Sequence, residues 1–124
     1  MLGDKNAVAT IAVKDVKAAR KFYEGKLGLK LVSDQMGNAT YKTGNTTMLV
    51  YKSDYAGTNK ATSATWVVDD VEDLVKTLKA KGVVFEHYDL PGLARNGDIH
   101  SAGKLRLAWF KDPDGNIHHI ISGV

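Results

Sequence analysis

The sequence contains no cysteine. That single absence removes disulfide frameworks, thiolate nucleophiles, zinc knuckles and iron–sulfur clusters, and it confines metal chemistry to His, Asp and Glu donors. No stretch approaches the roughly 18 consecutive apolar residues of a membrane span, and the opening MLGDKN holds no apolar segment of a secretory signal. A chain of this kind is expected to stay in the cytoplasm, with no membrane partner. Proline is scarce, 2 residues against 12 glycines, which leaves the turns to Gly, Asn and Asp. Charge of one sign is not in excess either: 17 Lys and Arg face 14 Asp and Glu, a net +3 without the clustering of a nucleic-acid footprint. Lys14, Lys17, Arg20 and Lys21 read as the solvated face of a helix. Neither a glycine-rich phosphate loop ending in Lys and Ser or Thr nor a GxSxG elbow occurs, so nucleotide and serine hydrolase chemistry find no support. What remains is 124 residues, 44% hydrophobic and 25% charged, the profile of one ordinary soluble domain, residues 1–124. At that size roughly two-thirds of the unfolded surface is buried, enough for a core without a covalent or metal staple.

The pattern along the chain is βαβββ, written twice. The apolar, β-branched run Ala7–Val13 suits a buried strand. Asp15 stands at a helix N-cap, Val16, Ala19, Phe22 and Tyr23 recur at helical spacing, and Gly25 and Gly28 close the helix. Strands are predicted near Leu29–Gln35, Ala39–Thr43 and Thr46–Lys52, separated by Met36-Gly37-Asn38 and Gly44-Asn45. After the connection Ser53–Lys60 the pattern restarts with Thr62–Val68. Asp70 is the second N-cap, with Asp73 as an approximate capping box. Val71, Leu74, Val75 and Leu78 form the apolar helix face, Glu72 and Lys76 a predicted i,i+4 pair, and Gly82 the stop. Strands at Val83–Glu86, Lys104–Lys111 and Ile117–Ser122 follow, the last entered through Asp112-Pro113-Asp114-Gly115-Asn116.

Val13-Lys14-Asp15-Val16 aligns with Val68-Asp69-Asp70-Val71 at an offset of 55, whereas Gly44-Asn45 aligns with Gly115-Asn116 at 71. The two modules thus span about 1–55 and 60–124, and the 16-residue surplus falls on His87–Ala102, polar and without a period. This segment is expected to be an inserted irregular loop, either a functional lid or a plain surface excursion.

A tandem repeat carrying Val13-Lys14-Asp15, FYEGKLGL from Phe22 to Leu29, Val68-Asp69-Asp70 and WFKDPDGN from Trp109 to Asn116 resembles the vicinal oxygen chelate superfamily. That superfamily holds glyoxalases, extradiol dioxygenases and fosfomycin- and bleomycin-resistance proteins. The resemblance implies an α+β fold in which tandem βαβββ modules form an incomplete, strongly curved barrel with helices outside and a cup inside. It also implies a homodimer. Fold follows from such motifs more securely than function, because one scaffold hosts many chemistries.

The resemblance further implies a divalent ion held by His and Glu on the first and last strands of each module, which stabilises charge developing on two adjacent substrate oxygens. Seven residues before the capping aspartates stand Val8 and Ser63. Three residues beyond each Gly-Asn turn stand Met48, or Leu49 if the turn is longer, and His119. One imidazole among a valine, a serine and a thioether falls short of a metal shell, so no metal and no other cofactor is expected. The alternative is a variant site in which His119 recruits His87, Asp98 or His100. His118 should point to the helix layer as a hydrogen-bonded structural histidine. Strand alternation turns Thr10, Ala12, Thr65, Val67, Trp109, Ile117 and His119 into the cup while Ala9, Ile11, Val13, Ala64, Trp66 and Val68 pack on helices. The ligand-binding set is therefore Thr10, Met48, Ser63, Thr65, Trp109 and His119, for a small organic molecule. Trp109 either stacks on a planar ligand or fills the barrel, and His119 either orients a ligand oxygen or is a satisfied wall histidine. Tyr23 is expected in the core. The leading reading is a metal-free small-molecule binder; the alternatives are a lyase or dioxygenase around His119 and a module devoted to protein contact.

Overall fold

The computed structural model describes residues 1–124. Two mixed sheets form, and they do not close into a barrel. The first contains β1 (Ala9–Val13), β2 (Lys30–Ser33), β3 (Ala39–Thr43) and β4 (Thr46–Lys52) in the order β1-β4-β3-β2. The second contains β5 (Thr62–Val67), β6 (Phe85–Glu86), β7 (Ala94–Asn96), β8 (Ile99–Ala102), β9 (Leu105–Lys111) and β10 (Ile117–Ser122). Its order is β5-β10-β9-β8-β7, with β6 also paired to β9. In each module the first strand runs parallel to the last and the remaining pairs are antiparallel.

Both helices begin where the aspartates require. The Asp15 carboxylate accepts from the amides of Lys17 and Ala18 and opens α1 (Val16–Tyr23). That of Asp70 accepts from the Asp73 amide and opens α2 (Val71–Ala80). Glu72 faces Arg106 at 3.8 Å, where the helical spacing had suggested Lys76. The strand after α1 is shorter than the pattern predicts. Met36 sits at φ 57 inside a 3-10 turn, Gln35–Gly37, and ends the extended run.

The helix-facing sides of both sheets share one core of 17 buried residues. Ile11, Val13, Met48 and Val50 come from the first sheet, Ala108, Phe110 and Ile120 from the second, with Phe22, Tyr23, Val71, Val75 and Leu78 from the helices. The predicted alternation holds on β1 and β5. It fails for Met48: the register Ala9↔Met48 and Ile11↔Val50 places Met48 on the core side, 1% exposed, and Leu49 takes the opposite face.

Of the expected irregular loop His87–Ala102, residues 87–93 are irregular, whereas residues 94–102 form a β-hairpin. β7 and β8 pair through Asn96↔Ile99 around the two-residue turn Gly97-Asp98, with Gly97 at φ 63. Residues of β7 are exposed throughout, so no polar–apolar alternation marks them in the sequence. β8 then pairs with β9 through His100↔Leu107, on the same edge where β6 meets β9 through Glu86↔Trp109.

The turn Asp112–Asn116 belongs to the second module yet fastens to the first. The Asn116 side-chain amide donates to the Ala12 carbonyl at 2.8 Å, and the Lys14 amide donates to Asp114. Gly57 packs on the same turn at φ 71; a Cβ there would overlap the Asp114 carbonyl oxygen, so only glycine fits.

Candidate functional site

Three adjacent strands assemble the site. Register pairs His119 of β10 with Thr65 of β5 on one side and with Trp109 of β9 on the other. The hydroxyl of Thr65 lies 3.2 Å from His119 Nδ1. The imidazole stacks on the Trp109 indole, centroids 4.6 Å apart and planes 17° apart. Two further rings join them: His100 of β8 stands edge-on to the same indole at 4.8 Å, and Tyr88, just beyond β6, at 5.4 Å. The Tyr88 amide donates to His100 Nε2 at 3.0 Å. With its lone pair engaged there, the neutral His100 ring carries its hydrogen on Nδ1. The Trp109 N–H donates to the Thr62 hydroxyl.

Around this tryptophan, three buried polar atoms have no hydrogen-bond partner: Tyr88 Oη, His100 Nδ1 and His119 Nε2. Buried polar groups are nearly always paired, so three unmet ones about a single ring are an unusual concentration of unsatisfied polar atoms. Burial, and then the nearby His100, lowers the His119 pKa below the ordinary histidine value. Burial, and then the Glu86 charge, raises that of Tyr88. Both side chains are therefore uncharged at neutral pH, suited to hydrogen bonding rather than to holding an ionic ligand.

Of the predicted ligand residues, the structure brings Thr65, Trp109 and His119 together. Ser63 lies half-buried two positions before Thr65 on the same face of β5. Thr10 is exposed on the corresponding face of β1, its hydroxyl donating to the Val8 carbonyl. Met48 faces the core, although it borders with Thr65 an open groove of about 390 Å³ between the β3–β4 turn and β5. Tyr88 and His100 were not in the predicted binding set. His100 lies on β8 between the glycine turns at Gly97 and Gly103 and Tyr88 just beyond β6, and no local period in the sequence joins either to the indole.

The donors present do not fit the ion of the vicinal oxygen chelate pattern. Val8, Ser63 and Met48 or Leu49 are not ligands of the required kind. His87 and Asp98 are already joined to each other at 2.7 Å, and Asp98 also accepts from Lys79. Within the chain no three His, Asp or Glu side chains converge. No helix is long and apolar enough to cross a membrane.

Residues 6–120 match the model of the Glyoxalase/Bleomycin resistance protein/Dioxygenase superfamily, and the chain belongs to that family. No match was found among curated proteins. The fosfomycin resistance protein FosX of Listeria monocytogenes has a similar structure, with a TM-score of 0.73 over 98% of this chain and 94% of that one at 13% identity. So do TnmS3, an antibiotic binding protein from Streptomyces sp. CB03234 (0.67, 96% and 97%, 21% identity), and a family member from Nocardioides (0.65, 96% and 84%, 16% identity). At these identities the likeness establishes the fold.

Proposed function

We propose that this protein binds a small planar organic molecule on the Trp109–His119 face and does so without a metal or other cofactor. The observation that carries the reading is the trio of buried, unpartnered atoms, Tyr88 Oη, His100 Nδ1 and His119 Nε2, around one indole. An aromatic ligand presents a face for stacking and ring substituents for those atoms, a combination typical of small-molecule sites. Sequestration of a ring-bearing antibiotic in the cytoplasm is the role in view, and the antibiotic binding recorded in the name of TnmS3 lends it support.

The test is a titration with a panel of planar aromatic antibiotics, read by tryptophan fluorescence, together with metal analysis of the purified protein. Trp109→Ala should weaken binding about tenfold or more, and His119→Ala several-fold, as expected for one aromatic contact and one hydrogen bond. Stoichiometric zinc, nickel, iron or manganese that disappears in His119→Ala would replace this reading with a metal-dependent lyase or dioxygenase.

The functional unit is a homodimer in this proposal. β1 and β5 lie against each other where the two sheets meet, so the strand edges left for a second copy are those of β2 and β7. Sedimentation should give about twice the 13.5 kDa chain mass; a monomer at micromolar concentration would defeat this part.

A further inference from the structure

A cavity lies on the opposite side of the same strands. It holds about 140 Å³ between α2 and the α1–β2 connection, and eight of its nine lining residues are hydrophobic. Trp66 and Phe110 form its floor, Leu74 and Leu78 one wall, Leu29 another, and Thr43 supplies the one hydroxyl. We propose that this pocket is a binding site for a neutral, single-ring aromatic molecule that carries one hydrogen-bond-accepting oxygen.

Three features select that chemistry. The volume is close to the roughly 150 Å³ of an apolar cavity that accepts benzene, so it has room for one ring. No charged side chain lines the space, and an ionic ligand would be desolvated there without a counter-charge. Thr43 Oγ1 accepts from the Trp66 N–H at 3.0 Å. That bond fixes the hydroxyl and leaves its own hydrogen to donate to a ligand oxygen. The lining comes from both modules, Leu27, Leu29 and Thr43 from the first and the rest from the second. The proposal is independent of the Trp109 site, since successive residues on a strand face opposite ways: Trp66 follows Thr65, and Phe110 follows Trp109.

The chain has 2 tryptophans, one per site, so their two indole N–H resonances report the pockets separately. In a titration of the full chain with acetophenone, the Trp66 resonance should shift saturably while that of Trp109 stays in place. Leu74→Phe, which fills the cavity from a partly exposed position, should weaken acetophenone about tenfold or more. Thr43→Val should weaken acetophenone several-fold and leave ethylbenzene unchanged, because only the ketone uses the hydroxyl. The proposal is overturned if Trp66 does not respond up to the solubility limit or if Trp109 shifts instead. It also fails if Leu74→Phe binds as well as the parent, or if the Trp66 resonance moves with protein concentration alone, which would mean that a second copy covers the pocket.

Discussion

Asp112→Ala should destabilise the fold by about 3–5 kcal/mol, the cost of breaking a buried charged network, measurable as a lowered midpoint in urea. The carboxylate is 4% exposed and takes four donors. Its Oδ1 accepts from the amides of Asp114 and Asn116, its Oδ2 from the Asn116 side chain at 2.8 Å and from the Tyr23 hydroxyl at 2.6 Å. Truncation leaves those donors in a dry interior, where each unmet group costs about 1–3 kcal/mol, reduced by whatever the turn can recover on relaxing. The damage does not stay within the turn. Asn116 reaches Ala12 on β1 from this network, and Tyr23 belongs to α1, so one carboxylate joins the two modules. A helix cap such as Asp15 is a useful contrast, because its loss typically costs about 1 kcal/mol and acts on one helix alone. If Asp112→Ala were no worse than a lost cap, the turn would be a local device and not the fastening between modules.

Much of this arrangement is legible in the sequence because it rests on local rules. Asp15 and Asp70 announce the helices through cap chemistry that needs only a carboxylate and the next few amides. Ile11 and Val13, or Ala64 and Trp66, announce a buried face through a period of two. The hairpin at 94–102 escapes because its strands are short and β7 is exposed on every residue, so the period that would reveal it is missing. Met48 escapes for a different reason. Counting from a turn fixes a strand position but not its face, and a displacement of one residue exchanges Met48 for Leu49. The site is half legible. Thr65, Trp109 and His119 lie on strands whose register the repeat already implies. His100 reaches the indole only because the hairpin folds back along β9, a tertiary event with no counterpart in the first module, while Tyr88 follows β6, which pairs with β9 as β2 pairs with β3.

Stability should fall as the medium is acidified from about pH 6.5 toward pH 4, and His118 is the reason. Its ring is fully buried, edge-on to Tyr23 and Trp66 and tilted against Phe110. The Tyr23 phenol, whose pKa is pushed far up by burial and by the Asp112 charge, keeps its proton and donates it to that carboxylate. His118 Nε2, 2.8 Å from the same oxygen, must then be the donor to it, which leaves Nδ1 as an unpartnered lone pair. A second proton would have to enter at Nδ1, in a space with no acceptor for it. Burial accordingly pushes the His118 pKa down to about 4, against an opposing but smaller pull from Asp112. Between that value and the ordinary histidine value the unfolded chain binds a proton that the folded chain refuses, so stability rises with pH across the window and is flat above it. The shift corresponds to roughly 3 kcal/mol over the whole interval. His119, also depressed by burial, adds to the slope in the same direction. Urea titrations at half-unit pH steps on the parent and on His118→Gln separate the two contributions. The variant should be less stable at pH 7 yet lose most of its pH dependence between 6.5 and 4. An unchanged slope in His118→Gln would show that the ring accepts its second proton without penalty, and that the relay from His118 through Tyr23 to Asp112 is not the acid-sensitive element of the core.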